Sequence, residues 1–519
     1  MALEMWAADK SRCIHRRIVV EGDLVLQTPA HFGAGEGDEL IDMPLLLDAY
    51  DGKTPLLTGA SIAGALRSYL REQEHGYGGK KQEDSDSVLL FGGSKEDNKG
   101  GKQSPLIIED VFGKPGTVGI ELRSGGQLES KTRTAKEGAL YDVQLWQAGT
   151  TFPLRFELLI RAEQDEGKMK QALATALEGF NNDHITLGAR KRRGYGQVKV
   201  TRWRVKEYDL RQPAQLCDWL QNGDASLPES AIVTNLKEAL GVTDFLPNAR
   251  RAFHLHATFA LDGSLLIRAD GGRDFPTSDK NETNSEWFNA LPDMVHLHSY
   301  RPEEKKSMPI LSGTSLTGAL RSRAYRIANT LGNSAKAKEL IYAMFGPDMN
   351  DRDWAKHKCA KHKERKKWVQ ASRLLVKETV VENVRTDLVQ NRVSIDRFTG
   401  GARDTALFNE QPIWGLSETC VKVDLRLINP DKAEIGLLLL LLKDLWTGDL
   451  PLGGESGVGR GRLQGKEATL TYRNGKEEQW QIKPVGKQLE ITSDTNSTQQ
   501  ELENFVTALN EYLAFKTPE

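Results

Sequence analysis

Apolar and polar residues alternate with a period of two along Arg17–Gln27, where Ile18, Val20, Leu24 and Leu26 fall on the alternating positions, and again along Phe152–Ile160. Ala252–Leu261 and Cys420–Ile428 repeat the pattern in the second half of the chain. Such alternation predicts strands with one buried face. Lys168–Phe180 and Lys432–Trp446 carry the wider spacing of a helix, and each is followed by a glycine-rich turn and, after the first, by a strand at Gln197–Val205. The most apolar run, Ile435–Leu442, is bounded by Glu434 and Lys443. It is far shorter than the roughly 20 residues a membrane span needs, so it reads as a buried helix. Leu502, Val506, Leu509 and Leu513 place an amphipathic helix near the end,.

These elements come twice because the chain is a tandem duplication. Pro55-Leu-Leu-Thr-Gly59-Ala-Ser61-Ile-Ala-Gly64-Ala-Leu-Arg67-Ser68 matches Pro309-Ile-Leu-Ser-Gly313-Thr-Ser315-Leu-Thr-Gly318-Ala-Leu-Arg321-Ser322 at nine of fourteen positions,. The same spacing carries Phe91-Gly92 onto Phe345-Gly346. Ser104-Pro-Leu-Ile-Ile then matches Ser372-Arg-Leu-Leu-Val after an insertion in the second copy, the basic stretch at Lys356–Lys367. Ala139-Leu-Tyr141 matches Ala406-Leu-Phe408, and Leu187-Gly188 with Gly194-x-Gly196 matches Leu452-Gly453 with Gly459-x-Gly461. Each copy therefore reads β-α-β…β-α-β, an α+β order that suits a ferredoxin-like sheet with two helices on one face. The boundaries expected are a first domain over 1–205, a connector over 206–250, a second domain over 251–475 with the insertion at 347–370, and a tail over 476–519.

Composition changes this picture little. The 519 residues are 39% hydrophobic and 27% charged, with 70 Lys+Arg against 72 Asp+Glu, which excludes a disordered or collagen-like chain,. Four scattered cysteines without C-x-x-C spacing imply reduced thiols rather than a disulfide framework,. Glu4, Asp9, Lys10 and Arg12 break up the first residues, so the expectation is a cytoplasmic protein with no membrane partner,. The net charge of −2 does not announce a nucleic-acid binder, yet the cations are clustered, so position matters more than the total,.

The chemistry sits in three motifs. G-x-S-x-x-G-A-L-R-S puts backbone amides, Ser61 or Ser315 at an N-cap, and Arg67 or Arg321 at the first turns of a helix, a setting that favours phosphate; the alternative is a tight glycine turn with a capping serine. Arg190-Lys191-Arg192-Arg193, framed by glycines, is the strongest local nucleic-acid signal,. Its counterpart keeps the glycines but only Arg460 as a cation, so contact there would rest on amides and Arg460. His357-x-Cys359-x-x-His362 offers three zinc-type ligands, but seven Lys/Arg and one Glu lie between Trp354 and Trp368, and a solvated basic loop is the better reading,.

These paired motifs resemble the RAMP superfamily, and most closely a fused double backbone subunit of the Cas-seven family in type III CRISPR effector complexes, similar to the type III-D variant. The resemblance implies two tandem RRM-like domains with thumb hairpins, binding a crRNA guide and cleaving target RNA at about six-nucleotide intervals through loop aspartates with a divalent ion, Mg or Mn. Zinc is not expected. The acid of the family lies in an Ile-Asp-x-Pro segment ahead of the G-x-S helix. Here that segment is Ile41-Asp42-Met43-Pro44, and Asp42 is the candidate; Pro292-Asp293-Met294 aligns Asp293 with it, without the Ile or the second Pro. Asp42 and Asp293 are thus expected as catalytic residues and ligands of the ion.

The thumbs are expected within 128–148, with Lys131 and Arg133 on RNA, and within 387–414, with Arg397 and Phe398. Phe398, Phe408, Tyr141 and Trp146 are candidates for an apolar wedge, with core packing the alternative for Phe408 and Tyr141. Implied partners are the guide, the target RNA and other type III subunits: a large polymerase/cyclase-like subunit, further backbone subunits and a small subunit. The alternatives are a guide-binding structural subunit that does not cut, and, ranked last, a crRNA-processing endoribonuclease using His31.

Overall fold

The computed structural model describes residues 13–35, 42–79, 85–93, 103–117, 119–128, 135–270, 292–348, 371–486, 488–493 and 499–514. Two compact units emerge, and they do not coincide with the two sequence copies. Unit 1 comprises Met1–Ile120, Gln144–Ala189 and Gly196–Arg250; unit 2 comprises Glu121–Val143, Arg190–Tyr195 and Arg251–Glu519.

In unit 1 the alternating segment forms the strand Ile14–Leu26, flanked by antiparallel Thr151–Arg161 and Val198–Asp209. Leu106–Ile108 and Ile232–Val233 complete the sheet at its edges. Its buried side meets the helices Gly59–His75 and Glu166–Glu178, so that Val20, Phe156 and Leu24 pack with Leu66, Leu70, Leu173 and Leu177. In chain order this is strand, helix, two strands, helix, strand, with the first and third strands central.

Three sequence expectations change here. Residues 206–250 are not a free connector: Val198–Asp209 runs past 205, and the helix Pro213–Asn222 follows it. Trp219, Leu210, Leu227 and Ala231 cover the sheet's other side at Val19 and Tyr208, and Arg17 lies 3.9 Å from the Trp219 ring centroid. Second, Ser61 and Ser315 are not the N-caps. Thr58 and Ser312 are, their hydroxyls accepting the Ser61 and Ser315 amides at 3.3 Å each. The helices begin at Gly59 and Gly313, where a Cβ would collide with the carbonyls of Ile108, or of Arg193 and Val376. Close approach, not turn conformation, requires glycine there.

Unit 2 repeats the arrangement around Ala252–Asp262, paired with Ile413–Ile428 and Arg462–Asn474, and packed on the helices Gly313–Leu331 and Lys432–Trp446. Asp431 and Glu434 form a capping box on the second of these,. The third correction concerns the tail before its last helix, which is present where the spacing of Leu502, Leu509 and Leu513 predicts it. Lys476–Val485 and Gln488–Ser493 extend the sheet, the helix Gln499–Leu513 lies on Lys432–Trp446, and Trp480, Leu509 and Leu513 are fully buried. Unit 2 also holds a hairpin of Gln390–Ile395 and Ala402–Gln411, and the strands Ile120–Leu128 and Ala135–Trp146 form its counterpart from the first copy.

Candidate nucleic-acid interface

Both glycine-rich loops take one conformation. Arg190 and Glu455 adopt left-handed backbone with φ of 53° and 58°, a short 3-10 turn follows, and Gly194 and Gly459 return with φ of 88° and 89°. The sequences differ where the shapes agree. The first loop belongs to unit 2, where a Cβ on Gly194 would strike the backbone of Glu378 and the Arg193 carbonyl lies against Gly313. Burial and the neighbouring Arg321 push the Arg193 guanidinium below its ordinary pKa. Arg190 donates to the Tyr141 hydroxyl at 2.7 Å and sits 4.2 Å from its ring centroid. The structure therefore gathers Arg190 and Arg193 of one copy with Arg321 of the other, a concentration of positive charge suited to a phosphate.

The second loop is built differently. Its Glu455 occupies the place of Arg190, and Arg460 occupies that of Tyr195. Arg460 is 3% exposed and donates to Glu410 at 3.0 Å and to Gln390 at 2.6 Å, with Glu455 2.8 Å away. Arg460 is thus buried among protein partners rather than presented as an exposed cation, and the side chain ties the loop to the foot of the hairpin. Arg392 joins the same carboxylates at 3.2 and 2.8 Å.

The helix starts also diverge. In the first copy the Gly59 amide donates to Asp110 Oδ1 at 2.7 Å, so a carboxylate of the chain already occupies the expected anion position. Arg67 donates to the Gly92 carbonyl at 2.8 Å. The repeat aligns Asp110 with Glu378, which serves elsewhere. Glu378 is buried between Arg123, at 2.5 and 3.1 Å, and Arg301, at 2.7 Å, while Arg123 also reaches Glu121 at 2.6 Å. Ser299 donates to Glu121 at 3.1 Å. Burial alone would raise the Glu378 carboxyl, but the two guanidinium groups outweigh it and leave the pKa lowered. Sequence reading missed this network; its one signal was the acid that follows the matched strands in both copies.

The loop aspartates lie beside the hairpins of their own copies. Asp42 is exposed, and next to it the Met43 carbonyl accepts the Gln144 amide at 3.2 Å, on the returning strand of the first hairpin. Asp293 is exposed and its Oδ2 accepts the Asn409 amide at 2.8 Å, on the returning strand of the second, and Met294 pairs with Glu410. Phe398 stands 97% exposed at a tip whose turn is held by Asp396, which accepts the Phe398 and Thr399 amides; Arg397 is exposed beside it. Trp146 is buried in the core and is not a wedge. Lys131, Arg133 and the His357–His362 motif lie outside the described residues. His31 is buried, with Nδ1 2.8 Å from the Gln144 carbonyl, which does not present it as a nuclease base.

Among the described residues no group of three or more His, Cys, Asp or Glu side chains is placed to hold a metal. No helix among them is long and apolar enough to cross a membrane. No curated protein matches the chain. The RAMP superfamily matches it twice, over residues 23–199 and 295–464, about two thirds of its length. Those two stretches carry both G-x-S helices, both glycine-rich loops and both hairpins, while the strand Ala252–Asp262 lies outside them, and the chain belongs to the RAMP superfamily, with two RAMP regions in one polypeptide.

Proposed function

We propose that the protein is a guide-RNA-binding backbone subunit of a type III CRISPR effector complex, with two tandem ferredoxin-like units, and that it cleaves target RNA at two sites through Asp42 and Asp293. The observation that carries the reading is the recurrence of one arrangement in both copies: an exposed loop carboxylate beside the returning strand of a hairpin. The strand orders support the ferredoxin-like assignment. Superfamily membership supports RNA as the ligand, the guide and target as partners, and other type III subunits as neighbours.

A carboxylate so placed can take the proton from a target 2′-hydroxyl as that oxygen attacks the adjacent phosphorus. The bond to the 5′-oxygen breaks, that oxygen gains a proton, and a 2′,3′-cyclic phosphate remains. Most of the acceleration would come from alignment imposed by the hairpin. A divalent ion, Mg or Mn, would have to be held by one aspartate together with RNA phosphate oxygens, and would supply charge stabilisation there.

The bond from Asp293 to Asn409 favours a second reading, in which this residue only anchors the hairpin. Asp293→Asn keeps an acceptor oxygen and removes the charge. In the assembled complex, mapping of a labelled target should show one cut lost with Asp42→Ala, the other lost with Asp293→Asn, and guide binding unchanged. Retention of both cuts in both variants would sink the catalytic assignment.

A further inference from the structure

Unit 2 contains a cleft of about 310 Å³ between the middle of the Gly313–Leu331 helix and the loop after Lys432–Trp446. It is lined by Arg323, Arg326, Asp449, Ser456 and Arg462 together with Gly448, Leu450 and Pro451. The charges do not cancel. Arg323 donates to Asp444 at 2.6 Å, while Lys443 lies 3.2 Å from Asp444 and 3.4 Å from Asp449. Those two carboxylates are thus matched by two cations. Arg326 and Arg462 are exposed and have no ion pair among the described residues. Two guanidinium groups open onto a cleft that also presents a serine, and their residual positive charge balances that of a phosphate dianion.

The first copy shows what the same place looks like without this function. Alignment of the repeats puts Tyr69 for Arg323, Glu72 for Arg326 and Gln197 for Arg462. Tyr69 stacks on His184 with ring centroids 5.9 Å apart, and Arg250 lies 4.6 Å from the Tyr69 ring centroid. A fold that needs no arginine here in one copy does not need three in the other for packing.

We propose that this cleft binds a phosphate group of an organic phosphate, with Arg326 and Arg462 as the principal ligands and Arg323 and Ser456 in support. Guanidinium forks match phosphate oxygens in pairs, and the volume lies at the lower end of the range of small-molecule sites. The phosphate has two possible sources, a free nucleoside phosphate or the terminal phosphate of an RNA strand. Neither Asp42 nor Asp293 is among the residues that line the site, and its occupancy does not depend on target cleavage.

The full chain is titrated calorimetrically with ADP, and by fluorescence anisotropy with a short single-stranded RNA carrying or lacking a 5′-phosphate. The expected result is that at least one phosphate-bearing probe binds, that Arg326→Ala/Arg462→Ala weakens it tenfold or more, and that Lys476→Ala, at the turn ending the strand that Arg462 begins, leaves it unchanged. ADP binding identifies a free nucleotide; dependence on the 5′-phosphate identifies an RNA end. Single Arg326→Ala, on an exposed helical position, should weaken binding severalfold and guards against misfolding of the double variant. Equal binding by the double variant, equal weakening by Lys476→Ala, or no binding of any probe overturns the proposal.

Discussion

Replacing Arg123 by Met tests whether the buried network holds the first copy's hairpin base within unit 2. Arg123 is 4% exposed and donates one bond to Glu121 and two to Glu378. Methionine fills much of the volume but none of these bonds. Glu378 would keep Arg301 at 2.7 Å, whereas Glu121 would keep only Ser299, at 3.1 Å. Breaking a buried pair by removing one partner costs about 3–5 kcal/mol, because a charge is left in a dry site. For a domain of this size that is on the order of 10 °C in Tm. Urea unfolding at pH 7.5, with hydrogen exchange at 121–128 and 135–143, reads the effect. The reasoning fails if the destabilisation at pH 7.5 is under about 1 kcal/mol, or if a double-mutant cycle with Glu378→Gln gives a coupling under about 0.5 kcal/mol.

Two further predictions follow from the same packing. His296 is 1% exposed, between the Leu265 and Ile310 carbonyls, and burial lowers its pKa from 6.5 to about 3, with His298 adding to the shift. Between those values the unfolded chain binds a proton that the folded one refuses, so stability is full above about pH 6.5 and falls as the pH drops toward 3, by up to about 1.4 kcal/mol per unit,. His296→Gln should flatten that slope in acid titrations followed by tryptophan fluorescence, and an unchanged slope would refute the assignment. Gly313→Ala should cost roughly 1–3 kcal/mol, since its Cβ meets two carbonyls, whereas Gly318→Ala in the same helix has nothing within 4 Å of its Cβ and should stabilise by about 0.5–1 kcal/mol,. Equal urea midpoints for the two variants would contradict the packing.

Much of the architecture was legible because it rests on local periodicity. Alternation over Arg17–Gln27 and Ala252–Leu261 marked the two central strands, and the helix expected at Lys432–Trp446 occupies those residues. The extension of the sheet beyond residue 475 was not legible, since Lys476–Val485 is polar except for the few side chains that reach the core, Trp480 and Ile482 among them. The N-caps were misplaced by three residues because serine at the third helical position looks the same in sequence as serine at the cap. Thr58 and Ser312 show the difference only through their bonds.

The candidate site divides along the same line. The sequence alone determined that the chain is duplicated, that each copy carries a G-x-S helix and a glycine-rich loop, and that Asp42 and Asp293 occupy comparable loops, because these are matters of order and spacing. Only the tertiary structure decided that residues 121–143 and 190–195 of the first copy belong to unit 2. It also decided that Asp110 caps its own helix while the aligned Glu378 is buried between two arginines, and that Arg460 is spent on Glu410 and Glu455. A charge is drawn to whichever opposite charge the fold brings within a few ångströms, and most of those partners lie tens to hundreds of residues away, where no local pattern records them.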